Sequence, residues 1–414
     1  MTALQDSKLT EFCSQFTPST IEGLQASQGA ALQYLSNASF PTTKNERFKY
    51  TRLQKLLNAS FTPFESLALD QLSAHSILKD VPTIFINGSA IYLPENLPTG
   101  VSIQGLQESK SAFRTSEYKD VFSAMNCVYA NNGCKISIKD NTTLETPLQI
   151  IYLHSGGANF YRNQLIFGKN SEAQVVLAHF SVSDSIGFSH THTQIEVAQD
   201  ARIQLHKVQA CEEGQFDFNE ERIYQAAASN FEINTVTLKG TLVRNDLLVE
   251  VQGEHAETKL NGAYLLGGHQ HVANYTTIDH QVANCESFET YRGIIDEQAT
   301  AVFNGKVFVR KDAQKTNAFQ SNANILLSEN ASVNSKPELE IYADDVKCSH
   351  GSTTGQLDEN ALFYLKARGL SEKAAKTLLL QAFMDDVLQV FKPEALRTYI
   401  FKAIAARFNW QIED

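Results

Sequence analysis

The chain has 414 residues, a formal net charge of −11 at pH 7, 43% hydrophobic and 20% charged residues. That is the composition of an ordinary soluble globular protein, and its acidic balance argues against a nucleic-acid surface, which needs basic patches. No apolar run approaches the ~20 residues that span a bilayer.

The N-terminal MTALQDSKLTEFCSQF has no basic start followed by an apolar run, so no signal peptide is expected. Cysteines 13, 127, 134, 211, 285 and 348 are scattered and form no CxxC. That usage argues against a disulfide framework. The expectation is a cytoplasmic protein that touches neither membrane nor nucleic acid.

Residues 1–110 read as a helical and mixed region. Thr10 to Leu35 carries apolar residues at helical spacing. PTTKNERFKYTRLQKLL, from Pro41, is basic and predicts a turn before a short helix. Strand signals follow in TIFING from Thr83, AIYLPENLP from Ala90 and VSI from Val101. The prolines of the second should end its pairing early.

Residues 111–355 have a different character. A unit recurs between about Ile136 and Leu339: a short apolar strand, a polar turn, a small residue, then alternating apolar residues. It appears as LIFGKNSEAQVVL from Leu165, IEVAQDARIQL from Ile195 and VEVQGEHAETKLNG from Val249. It returns as GIIDEQATAVFNG from Gly293 and ILLSENASVNSKPELEI from Ile325, with a weaker copy, ISIKDNTTLETPLQI, from Ile136. The unit reads as a corner: the chain turns through Gly, Asn, Asp or Glu, and the small residue lets the next coil stack closely. Coils that cannot bury their own apolar face bury it against neighbours. The predicted fold is mainly β, a right-handed parallel β-helix core between an N-terminal helical and mixed region and a C-terminal helical region. Spacing between copies is irregular.

Residues 356–414 return to helix. Asp358 is placed to cap ENALFYLKAR, which Gly369 stops; Ser371 can cap the next helix. The apolar residues of that helix, Ala375, Leu378, Leu379, Ala382, Phe383, Val387, Val390 and Phe391, fall close to one stripe. Such a stripe packs inward or receives a partner. Pro393 opens a third helix containing Leu396, Ile400, Ala403, Ile404 and Phe408.

The segment with most chemistry is KPELEIYADDVKCSHGSTTG, from Lys336 to Gly355. In extended chain, residues i and i+2 point the same way. Cys348 and His350 therefore present a thiol and an imidazole to one side, a pair suited to soft metals and iron–sulfur species.

The run from His271 to Gly351, ending in DDVKCSHG, resembles the SufB/SufD family of iron–sulfur cluster assembly proteins throughout. Its continuation, GSTTGQLDENALFYLKARGL, lies on the SufD side of that family, and PTTKNERFKYT is similar to its short N-terminal motif. Tyr275, Ser352 and Thr354 depart from the residues usual in the family. The resemblance implies a non-catalytic scaffold subunit that pairs with a SufB-like paralogue through the C-terminal end of the β-helix. It also implies that the C-terminal helices bind a SufC-like ABC ATPase. A transient iron–sulfur cluster would form at the subunit interface, with His350 as this chain's leading ligand and Cys348 as a second candidate. Leu378, Leu379, Ala382, Phe383 and Val387 would face the ATPase, and a homodimer is an open alternative. The chain lacks G-x-x-x-x-G-K-[ST], so it is not expected to hold nucleotide itself.

Other constellations suggest competing chemistry. His190, His192 and Glu196 spell HxHxxxE, similar to a cupin single-metal motif, though flanking glycines and a second motif are missing. On a strand the three share a face. Asp344 and Asp345 do not make the carboxylate pair of a β-helical carbohydrate enzyme, because adjacent strand residues face opposite ways. His269, His271 and His280 read as structural.

Overall fold

The computed structural model describes residues 7–109, 113–114, 120–182 and 184–408. The boundary drawn between residues 110 and 111 lies outside the described residues. Strands stack into two long sheets, to which consecutive strands contribute alternately from Cys134–Ile138 onward. One is 10-stranded and runs from Ala90–Tyr92 to Lys347–Gly355; the other is 9-stranded and runs from Val101–Gly105 to Ser332–Ile341. From Cys134–Ile138 onward every pairing is parallel and joins a strand to the next one of its own sheet. This is a parallel β-helix, mainly β with helices at both ends, as the corner pattern indicated.

The corners explain the irregular repeat. Asn170, Asp200, Ala228, His255, Asn284 and Lys315 each adopt a left-handed conformation, with φ between 52° and 63°. The residue after each, Ser171, Ala201, Ser229, Ala256, Cys285 and Thr316, is buried. A left-handed residue reverses the chain, and the small buried one lets the next coil sit close. The copies at Leu165, Ile195 and Val249 turn from the second sheet into the first; those at Gly293 and Ile325 turn the other way. Two kinds of corner read as one unit make an uneven spacing.

Inside the coils, one half is apolar, built from residues such as Leu148, Val175, Ile203, Phe231 and Leu260 facing Phe167, Val197, Val251 and Val309. Tyr264 and Tyr291 cross over each other's strands: a Cβ on Gly262 would meet the Tyr291 ring at 2.1 Å, and one on Gly293 the Tyr264 ring at 2.1 Å. Gly262 pairs with Tyr291, and Gly293 with Tyr264. Each ring fills the space its neighbour's glycine leaves.

The outer faces are covered from the two termini. N-terminal helices Ser7–Cys13 and Glu22–Asn37, the segment that follows them and helix Val121–Tyr129 pack Phe12, Phe40, Phe48 and Phe122 onto Phe160, Phe188 and Phe218 of the second sheet. Phe122 and Phe218 meet edge-on at 4.8 Å, a geometry worth ~0.5–1.5 kcal/mol beyond area burial. The basic motif near Pro41 docks here too. Arg47 pairs with Asp246 and Arg244 donates to the Arg47 carbonyl. The Arg244 guanidinium lies 4.1 Å from the Phe48 ring centre and 4.2 Å from that of Tyr275. Tyr275 is thus part of a docking surface.

The C-terminal helices Glu372–Leu388 and Glu394–Phe408 cover the first sheet, and Glu359–Ala367, which buries no residue, packs against Glu372–Leu388. Asp358 accepts from the backbone N–H groups of Asn360 and Ala361, and Ser371 from that of Ala374, as the sequence suggested. Leu396, Ile400 and Ile404 are buried. The stripe of the middle helix is rotated from its predicted position: Ala375, Leu380, Met384, Val387 and Leu388 face the sheet, while Leu378 and Ala382 face solvent. Three consecutive leucines, 378 to 380, left the inward one undetermined. Among the described residues no helix is long and apolar enough to cross a membrane.

Candidate functional site

The two ends of the β-helix differ. At the N-terminal end, Ala90–Tyr92 pairs antiparallel with Thr83–Asn87, and Val101–Gly105 antiparallel with Cys134–Ile138. Those two outermost strands are three and five residues long, whereas Ser332–Ile341 and Lys347–Gly355 at the C-terminal end are ten and nine; among the described residues each of the four has a strand partner on one side only. Their outer edges carry unpaired backbone donors and acceptors, the feature that invites a further strand.

Cys348, His350 and Ser352 lie on this last strand, in register with Ala318, Gln320 and Asn322 of Asn317–Leu326. Ser352 Oγ donates to Ser335 Oγ at 2.7 Å, and Ser335 Oγ to Asn322 Oδ1 at 2.8 Å. These bonds cross from one sheet to the other, so this face of the strand is the inner one. Cys348 is half-buried against the apolar core, and desolvation pushes its thiol above its ordinary range, against a small opposing effect of the Ala318 backbone. It is a poorer thiolate than a free cysteine. His350 is exposed, since no coil lies beyond it.

The interior behind His350 is polar, which the sequence reading missed. Gln320 Nε2 and Thr276 Oγ1 both donate to Glu289, whose carboxyl burial pushes up to about 7. Further in, Asn245 donates to Asn274 at 2.9 Å and accepts from Lys207 Nζ at 3.1 Å, and Lys207 pairs with Glu221 at 2.7 Å. Even spacing in Asp217-x-Asn219-x-Glu221 and Lys207-x-Gln209 was the available signal, since alternate residues share a strand face.

On the C-terminal helices, Phe363 is 74% exposed, Tyr364 57% and Leu378 47%. Ala382 is exposed, and Leu379 and Phe383 are half-buried. Val387 is 1% exposed and belongs to the protein's own core; it is unavailable to a partner.

His190, His192 and Glu196 share the outer face of Gly187–Val197, as their spacing predicts, but the strand spreads them. Four residues of strand span ~13 Å, too far for His192 and Glu196 to hold one ion. Each has its own partners: His192 lies 3.3 Å from Glu220, and Glu196 accepts from Gln194 at 2.9 Å and lies 3.4 Å from Arg114. Desolvation lowers His192 to about 3. The cupin-like reading fails on this geometry. His271 Nε2 meets Thr51 Oγ1 at 3.2 Å and His280 Nε2 meets Ser287 Oγ at 2.9 Å, structural contacts in both cases.

Comparison with known proteins follows the same outline. Residues 151–383 match the family described as "SUF system FeS cluster assembly, SufBD core domain", and residues 10–150 match "SufBD protein N-terminal region". The chain is 27% identical to the iron–sulfur cluster assembly protein SufD of Escherichia coli over 385 residues, covering 91% of each chain. It is 28% identical over 410 residues to an iron–sulfur cluster assembly SufBD family protein of Synechocystis, covering 92% of this chain and 90% of that one. SufD of Bacillus subtilis is 23% identical over 302 residues, covering 71% of this chain and 68% of that one.

Proposed function

The chain belongs to the SufBD family of SUF-system iron–sulfur cluster assembly proteins, and from that premise we propose that it is a non-catalytic scaffold subunit working in the cytoplasm. Its C-terminal β rim receives a SufB-like paralogue. Helices Glu359–Ala367 and Glu372–Leu388 receive a SufC-like ABC ATPase through Phe363, Tyr364, Leu378, Leu379, Ala382 and Phe383. A transient iron–sulfur cluster assembles at the rim as cargo, with His350 as this subunit's imidazole ligand and Cys348 in a secondary role.

The observation that carries this reading is the inequality of the two ends. Among the described residues, the outermost strands at the C-terminal end are ten and nine residues long and continue the parallel coil, against three and five residues at the other end, and His350 stands exposed on one of the long edges. Strand addition there would cover unpaired backbone groups and bring His350 to a shared site. The raised thiol of Cys348 supports ranking it below His350.

The test is co-expression with an adjacent paralogue and ABC-type ATPase. The three should elute together, and His350→Ala should leave that assembly intact while lowering recovery of cluster-dependent enzymes under iron limitation. Full recovery in the variant removes His350 from the mechanism. Elution of this chain alone, or as a homodimer in the presence of both candidates, removes the partner assignment.

A further inference from the structure

Away from the rim, deep in the coil interior, three ligating side chains converge. His154 ends the strand Leu148–His154, His179 lies on Glu172–Ser181, and Asp217 reaches across from Gln215–Gln225 of the opposite sheet. One ligand atom from each lies within 4.8 Å of the others. All three residues are at most 1% exposed.

Their hydrogen bonding is incomplete in one direction only. Both ring nitrogens of His154 have no hydrogen-bond partner, and Nδ1 of His179 makes no hydrogen bond, lying 3.5 Å from Asp217 Oδ1. Asp217, by contrast, is held rigidly. Its Oδ1 accepts from Ser189 Oγ at 2.8 Å, and its Oδ2 from Asn219 Nδ2 at 2.9 Å and Gln209 Nε2 at 3.2 Å. Among the described ion pairs its only partner is His179, 3.5 Å away. A buried carboxylate without a fixed cation and buried nitrogens without partners are each costly. One bound cation relieves both.

We propose that His154, His179 and Asp217 bind one divalent transition-metal ion, Fe2+ or Zn2+. Two imidazoles and a carboxylate form the borderline donor set that suits these ions. The donors on Asp217 orient it as outer-shell groups orient metal ligands elsewhere. Enclosed by coils, the ion is a structural clasp between the two sheets and exchanges slowly; it is separate from any cluster at the rim.

The experiment uses the full chain. Purified protein is unfolded in chelator, refolded, loaded anaerobically with Fe2+ or with Zn2+, dialysed, and its metal measured by elemental analysis; Co2+ loading gives an independent visible spectrum. Wild-type protein should retain one ion per chain. His154→Phe fills the same space without a ligand and should lose it, as should Asp217→Asn; His350→Ala should retain it. Asn219→Ala should bind ~10- to 100-fold more weakly. Far-ultraviolet circular dichroism confirms that each variant is folded. The proposal is overturned if folded wild-type protein takes up neither ion. It is equally overturned if His154→Phe binds like wild type, or if the metal is lost in His350→Ala instead.

Discussion

Replacing Glu289 with glutamine should make the protein more stable above neutral pH and should flatten its stability across the acidic range. Glu289 sits in the coil interior with hydrogen bonds from Thr276 and Gln320, yet burial outweighs them and pushes its carboxyl from 4.5 to about 7. Such a rise corresponds to roughly 3 kcal/mol. The sign follows from proton binding: between pH 4.5 and 7 the native chain keeps a proton that the unfolded chain has lost. Stability contributed by this group therefore falls as pH rises through that window, and the penalty is complete above it. Below 4.5 both states are protonated and the difference vanishes. Gln320 Oε1 has no donor, and an inverted Gln320 amide would accept from a protonated Glu289. Glutamine mimics that neutral form. Denaturant midpoints of both proteins, taken in steps from pH 5 to pH 8, should start close together and diverge by up to ~3 kcal/mol in favour of Glu289→Gln. Parallel curves would refute the reasoning, since they would mean that the polar interior solvates an ionised Glu289 at no cost.

Three further expectations follow from packing and exposure. Gly262→Ala places a methyl group inside the Tyr291 ring and should destabilise by ~1–3 kcal/mol, read as a lower denaturation midpoint; no change would mean that the crossed tyrosines are not tightly packed. Lys207→Ala strands Glu221, which is buried with it, and should cost ~3–5 kcal/mol, while Lys207→Met combined with Glu221→Leu should recover most of that loss. Phe363→Asp lies on an exposed helix face and should shift monomer stability by less than ~0.5 kcal/mol while abolishing co-elution with the ATPase partner; retained co-elution would clear that face of the role.

Local chemistry was legible in the sequence, and long-range pairing was not. Asp358 and Ser371 could be named as caps because a cap needs only its own hydroxyl or carboxylate and the next few amides. Corners such as Asp200-Ala201 and His255-Ala256 were legible for the same reason. The inner polar track was hidden because strands such as Gln215–Gln225 are buried at every position, so alternation does not announce which side faces inward. Lys207 and Glu221 meet across the coil from different sheets, and nothing in their flanking residues says so. His154, His179 and Asp217 are brought together by the same coiling. The shared face of His190, His192 and Glu196 was read correctly, but period alone does not measure reach, and an extended chain separates what a motif sets side by side.

One tip of the rod ends in strands of three and five residues, the shorter followed by Pro94 and Pro98, while the other ends in strands of ten and nine. A short, proline-flanked border gives an incoming strand few backbone groups to bond, and a long one gives it a full ladder. When two such rods meet long border to long border, only the short borders are left facing outward to recruit a third. Assembly through the long border should therefore stop at a pair, away from the fibrous growth that stacked strands otherwise invite.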